Sequence, residues 1–526
     1  MMKKILILML PVCLFLASCD DLLNLTPEDS LAPEVFYRNA AEVDKALNGV
    51  YQALVLDGGA NFILNPEVMT DNCCYSSASG SEWLDFSRGT LNPSTSYIET
   101  RWKNNYKGIV RANLVLYNLY NKTDMIISET VKLRLMGEAH FLRAYFYSNL
   151  LLNYSGVPLL DRPYGNISDY SLPRSSAEET LKFIVNDLDS AIVKLEPKPI
   201  ANGKGRATKG AAIFLKARML LFNGYYKEAN SALNSLTALN EYQLMTNFAD
   251  IFDPAHENNS EVIFDIQYVD PNRENTSYPF YTYIKDWTGG YVPTVSLAQE
   301  FYDLRGLPVD PERTTFANFF KNRDKRMIAT LVRPGDSYGD GVYLPKASNK
   351  SSYNSCMKVK KYLVFSDVTN PGKRSQLNVI VFRYADAKLM QAEAIIEDDS
   401  LFNVQADYRK AITLIDEIRM RAGLPIIENV IASPSREDLR EILRRERRVE
   451  LAFENSRLYD IRRWRIAEEV MNTDAMGYDP EQFEGNKYVP YAVETGRRFL
   501  SRNYLWPIPQ SEMDANIAII VNNEGY

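Results

Sequence analysis

Leu135-Met136-Gly137-Glu138-Ala139-His140-Phe141-Leu142-Arg143-Ala144-Tyr145-Phe146-Tyr147-Ser148-Asn149-Leu150, with Ser155-Gly156 and Pro158 shortly after, is the stretch on which the fold turns. Leu135, Ala139, Leu142, Phe146 and Leu150 recur every three or four positions, so they line one face of a helix. Glycine and proline beyond the last of them stop it. The same period predicts helices over Trp102–Tyr120, Ala177–Leu195, Lys209–Phe222, Tyr226–Leu239, Val379–Glu397, Ala406–Ala422, Glu437–Asn455 and Arg457–Met471. Strand-like alternation is rare, and the chain reads as mainly α.

Two helix pairs look like tetratricopeptide units. In the first, Ala211, Ala212, Ala217, Leu221, Gly224, Tyr226 and Ala229 put small residues where antiparallel helices cross and glycine with tyrosine at the turn. The second runs Leu389, Ala392, Ala394, then Tyr408, Ala411, Leu414 and Ile418. Such units bury their faces only by stacking on neighbours, and the spacing between the two pairs is irregular. The expected architecture is therefore repeat-like helices carrying a large irregular region with few short strands. That region is residues 240–378, rich in Tyr, Asn, Asp, Gly and Pro, with one strand candidate at Glu261–Tyr268. A second loop-rich interval runs from Leu56 to Tyr97. Irregular segments on a rigid frame are where binding residues usually sit.

The start of the chain reads as a cleaved export signal. Lys3 and Lys4 precede an apolar run from Ile5 to Leu16, and Leu16-Ala17-Ser18 stands before Cys19 in the order of a lipobox. Residues 1–18 are expected to be removed and Cys19 to carry acyl chains that tether the protein without a spanning helix. Loss of Lys3 and Lys4 leaves 58 of the 60 basic side chains against 67 acidic ones, a net charge of −9. An acidic chain without a basic stripe lacks the main term of nucleic-acid affinity. The remaining 508 residues exceed what one core usually holds, so several structural units, or one core elongated by repeats, are expected. Boundaries fall at 19–239, 240–378 and 379–526. Cys73, Cys74 and Cys356 are too few for a disulfide framework; free thiols and one bridge to Cys356 are both open. Two histidines, His140 on a helix and His256 in a loop, disfavour triad hydrolases and zinc enzymes. No cofactor is implied and no compact set of metal ligands appears, although scattered loop oxygens leave calcium open.

Two charged stretches need weighing. Glu446, Glu450 and Glu454 form an i, i+4 column of like charge that calls for cations from elsewhere, with Arg457, Arg462 and Arg463 as candidates. Glutamates interleaved among Arg444 to Arg448 favour an interhelical ion-pair network over an anion site. Gly203-Lys204-Gly205-Arg206-Ala207-Thr208-Lys209 superficially suggests a phosphate loop, but no strand precedes it and Thr208 is better placed as a helix N-cap.

Gly137-Glu138-Ala139, Phe141-Leu142-Arg143-Ala144, Gly156-Val157-Pro158-Leu159-Leu160, Gly205-Arg206-Ala207, Phe382-Arg383-Tyr384-Ala385-Asp386, Glu446 to Glu454, Asp460-Ile461-Arg462-Arg463-Trp464, Pro507-Ile508-Pro509 and Asn523-Glu524-Gly525-Tyr526 follow one another in the order of the SusD/RagB family, which the chain resembles along nearly its whole length. The resemblance implies an SusD-like N-terminal helical region, a ligand-facing region at 240–378 and a RagB/SusD C-terminal helical region. It further implies a surface-exposed, lipid-anchored outer-membrane protein that serves a SusC-like TonB-dependent transporter and captures oligomeric nutrients. Asp20 and Asp21 look like the acidic export tag of such lipoproteins, and the family supplies no catalytic residues.

Trp102, Trp464 and Trp506 fall in helical or signature segments and read as core, which leaves Trp83 and Trp287 in the loop-rich intervals. An aromatic face suits the C–H side of a pyranose ring, while amides and carboxylates fix its hydroxyls. Around Trp287 stand Tyr278, Tyr281, Tyr283, Tyr291, Lys285 and Asp286; near Trp83 stand Asp71, Asn72 and Arg88. Asp71-Asn72 resembles a short family motif on the ligand-facing side. The expected ligand set is Trp287, Trp83, Tyr283, Tyr291, Asp71, Asn72 and Arg88, holding an oligosaccharide. Peptide capture, as in RagB-like members, is the alternative, and a two-carboxylate glycoside hydrolase is the less favoured third.

Overall fold

The computed structural model describes residues 36–56, 65–75, 82–198, 203–268, 291–310, 316–338, 341–343, 355–363, 377–484 and 487–526. Its frame is a train of helices: α1 (Ala40–Leu56), α2 (Ser96–Asn121), α3 (Glu129–Tyr154), α4 (Ala177–Lys194), α5 (Lys209–Phe222), α6 (Tyr226–Ala238), α7 (Tyr384–Glu397) and α8 (Gln405–Arg421). Each packs on the one before it. Gly108 lets α2 and α3 touch, since a Cβ there would stand 2.3 Å from the Phe146 ring. Gly224, at φ +83°, turns α5 into α6, as the sequence predicts for the first repeat. Ser128 caps α3, and Thr208 caps α5 by accepting from the Ala211 N–H at 3.2 Å. Arg206, in the phosphate-loop look-alike, instead joins Glu138 of α3 to Asp44 of α1, both at 3.0 Å. Periodicity did not reveal α1.

Because α6 packs directly on α7, the helical train continues across residues 240–378, which leave it as an excursion. A ribbon closes that excursion at its base: β2 (Val262–Ile266) runs antiparallel to β4 (Val379–Arg383), with Ile266 opposite Val379 and Val262 opposite Arg383. The helix expected over Val379–Glu397 thus begins as a strand. Its fully buried Val-Ile-Val-Phe run is β-branched and pairs along its length, and the helical period starts only at Tyr384. Likewise, the helix expected over Arg457–Met471 breaks into α10 (Arg457–Arg463) and a short helix, Ala467–Met471, because Arg465 takes a left-handed conformation at φ +59°.

Helix α9 (Arg436–Glu450) packs on α7 and α8 and carries Glu446 and Glu450 inward; it stops short of the expected Asn455, so Glu454 follows in the turn beyond it. The column is an ion-pair network, as expected, but its cations are not Arg457, Arg462 and Arg463. Arg326 meets Asp324 at 2.6 Å, Glu446 at 2.8 Å and Glu450 at 3.1 Å. Arg383 meets Glu450 and Glu454 at 2.5 Å and Glu261 at 2.8 Å. Arg419 holds Glu446, Arg421 holds Glu261 and Glu450, and Lys361 holds Glu454. Five cations here face five carboxylates, all buried, so the burial cost of each charge is offset by an opposite one. Arg463 pairs with Glu393 and Asp460 beside Arg447, and Arg457 with Asp71.

Candidate functional site

The two loop-rich intervals meet in a second ribbon. β1 (Cys73–Tyr75) runs antiparallel to β3 (Tyr291–Pro293), with Cys73 opposite Pro293 and Tyr75 opposite Tyr291. The chain leaving Tyr75 and the chain arriving at Tyr291 therefore share one end of the ribbon. Their rings lie edge to face, 5.7 Å between centroids. The pairing is prolonged at the other end, where the Thr294 N–H donates to the Asn72 carbonyl at 2.9 Å and the Thr294 hydroxyl to the Asp71 carbonyl at 2.6 Å. Cys73 and Cys74 are free and buried, Cys356 is buried as well, and burial pushes the Cys74 thiol up to about 12, which leaves it protonated and unreactive at neutral pH.

Beneath the ribbon lies a polar keystone. Arg457 grips both oxygens of Asp71 at 2.8 Å, and Arg448 adds a contact at 2.9 Å. Burial raises the Asp71 carboxyl, but Arg448 and Arg457 together outweigh it and hold the group well below the usual carboxylate range. The Asn72 amide donates to Glu67 at 2.9 Å and its oxygen accepts from Arg448 Nε at 2.9 Å. The other Glu67 oxygen accepts from the Phe453 N–H at 3.0 Å. Phe453 achieves this with φ +60°, an unusual conformation for an aromatic residue. Burial pushes Glu67 up to about 7 against the pull of Asn72 and Lys361.

The expected ligand residues consequently divide into three groups. Asp71, Asn72 and Tyr291 are buried, with polar atoms turned to protein partners; the Tyr291 hydroxyl donates to Asn65. They position the ribbon from within the protein. Trp83 is half-buried on the short helix Glu82–Ser87, its ring 6.1 Å from Phe86 and 4.9 Å from Tyr97, while Arg88 just beyond is exposed. Trp287 and Tyr283, with Tyr278, Tyr281, Lys285 and Asp286, lie outside the described residues. Trp102 and Trp506 are core, as expected; Trp464 is only partly buried and donates to Glu393 at 2.7 Å. Sequence reasoning missed Arg448 in this role. It ties Asp71 and Asn72 to Ser296 and Glu300, partners on remote segments that local spacing does not disclose.

His140 meets Asp187 at 2.7 Å and the Tyr120 hydroxyl at 2.9 Å, but Arg143 occupies both oxygens of the same carboxylate, making a structural ion pair. His256 is exposed, as its loop position suggested. Among the described residues no three His, Cys, Asp or Glu side chains are placed to hold a metal ion, and no helix is long and apolar enough to cross a membrane.

Known proteins with this frame share its sequence as well. The SusD family model matches residues 260–526, and a model described as "Starch-binding associating with outer membrane" matches residues 21–221. A SusD-like protein of Formosa agariphila is 26% identical over 475 residues, covering 87% of this chain and 90% of that relative. A SusD-like protein of Bacteroides fragilis superposes with a TM-score of 0.81 at 28% identity, over 95% of this chain and 100% of the other. A SusD-like carbohydrate-binding protein of the same species gives 0.82 at 25% identity, over 92% and 99%. With half of its length matched by that family's model and its helical train reproduced in solved relatives, the chain belongs to the SusD family.

Proposed function

We propose that the protein is a cell-surface glycan-binding lipoprotein, tethered through Cys19 to the outer membrane, that captures oligosaccharides without cleaving them and passes them to a SusC-like TonB-dependent transporter. The observation that supports this reading is the β1–β3 pairing, which joins the two loop-rich intervals and brings Tyr75 and Tyr291 together at one ribbon end. Trp287 lies four residues before Tyr291 in the sequence. Trp287 and Tyr283 supply aromatic faces for sugar rings, with Trp83 and Arg88 on the neighbouring segment, while Asp71, Asn72 and Tyr291 fix the ribbon from below. The family's starch-binding description and the carbohydrate-binding relative support a glycan cargo.

Calorimetry against a panel of neutral polysaccharides and of peptides tests it. Trp287→Ala is expected to weaken glycan binding roughly tenfold, about 1.4 kcal/mol, with the Tm held within about 2 °C. Equal affinity in wild type and variant moves the site; binding of peptides alone changes the cargo. New reducing ends after incubation with polysaccharide would replace capture with hydrolysis.

A further inference from the structure

A cleft of about 680 Å³ opens between the end of α3, the residues following α10 and the C-terminal tail. None of the described residues that the sequence assigns to ligand lines it. Its charge runs against the sign of the chain, which is −7 overall. Arg462, Arg463, Arg465 and Arg502 border it, and the exposed Glu524 is the carboxylate on its rim. Arg463 is neutralised by Glu393 and Asp460. The other three guanidiniums have no carboxylate partner among the described residues.

Arg462 is the telling one. It is 7% exposed, its contacts to Asn153 Oδ1 and the Asn503 carbonyl are long at 3.4 and 3.2 Å, and its Nε is buried with no acceptor. Arg323, also buried without a carboxylate, is better served: main-chain carbonyls of Ala298, Phe301 and Phe319 accept at 2.7, 3.1 and 2.5 Å. Burial pushes Arg462 down to about 10, so it remains charged at neutral pH. Two long contacts and the Trp506 ring at 5.5 Å leave its charge without a carboxylate among the described residues, and an anion in the cleft would lower the cost of burying it. Arg502 donates to the Gly525 and Gly89 carbonyls at 3.1 Å but keeps a second buried Nε without a partner, and the exposed Arg465 lies over the Tyr504 ring at 4.3 Å.

We infer that this cleft is a second binding site, for an acidic saccharide unit whose carboxylate or sulfate oxygens are received by Arg462, Arg465 and Arg502. The volume lies in the range of sites for ligands larger than a bare oxyanion. Guanidinium groups match such oxygens by charge-assisted hydrogen bonds. The saccharide carrier rests on the glycan reading above; the demand for an oxyanion does not.

The test uses the chain carrying Cys19→Ala and four probes: a galacturonate oligomer, a sulfated galactan oligomer, a neutral galactan oligomer and sodium sulfate. At least one acidic oligomer is expected to bind tenfold or more tightly than the neutral one. Arg465→Ala and Arg462→Gln should each reduce that preference roughly tenfold. Arg465 is exposed, so its variant keeps the test decisive if Arg462→Gln fails to fold. Equal binding of acidic and neutral oligomers, or no effect of Arg465→Ala, overturns the inference. Sulfate binding as tightly as the sulfated oligomer overturns the saccharide assignment in favour of a free anion. Failure of every oligomer, neutral ones included, counts instead against the glycan reading.

Discussion

Glu67 shows how one side chain couples the recognition ribbon to the frame. Its oxygens accept from Asn72 on one side and from the backbone of Phe453 on the other. Burial raises its carboxyl from the ordinary 4.5 to about 7, so the folded state favours the protonated form. The stability this contributes is complete below about pH 4.5 and is lost as pH rises through about 7, a decline of up to about 3 kcal/mol. Denaturant unfolding between pH 4.5 and 7.5 should therefore reveal a slope that Glu67→Gln abolishes; an unchanged slope would exonerate this group. The Asp71-Asn72 pair was visible in the sequence as a motif. Its burial was not, because that depends on Arg448 and Arg457, nearly four hundred residues away.

Helices were the legible part of the sequence, since a 3.6-residue period survives wherever one face is buried and the other wet. Lys209–Phe222 matched to the residue, down to the Thr208 cap. What escaped were elements defined by partners. Val379–Arg383 is uniformly apolar, and only its pairing with Val262–Ile266 makes it a strand. The cations for the glutamate column come from Arg326, Lys361, Arg383, Arg419 and Arg421, which local spacing could not nominate. Arg383 stands where strand β4 becomes helix α7 and satisfies three carboxylates at once. Arg383→Met should strand those charges and cost about 3–5 kcal/mol in unfolding free energy. A loss below 1 kcal/mol would mean that neighbouring arginines compensate.

At the scale of the whole molecule, the acidic body and its expected acyl tether act independently. Cys19 precedes the described residues, and the helical train makes its own core from residue 37 onward. Cys19→Ala is thus expected to yield a chain with unaltered Tm that fractionates away from membranes; retention in the membrane fraction would point to another attachment. The balanced charge network also fixes the base of the long excursion. Glu261, Arg326 and Lys361 pin the 240–378 excursion to the C-terminal helices at three places. The anchors are set by partners on the frame, so the ion pairs at the base of the excursion do not depend on the length of the chain between them.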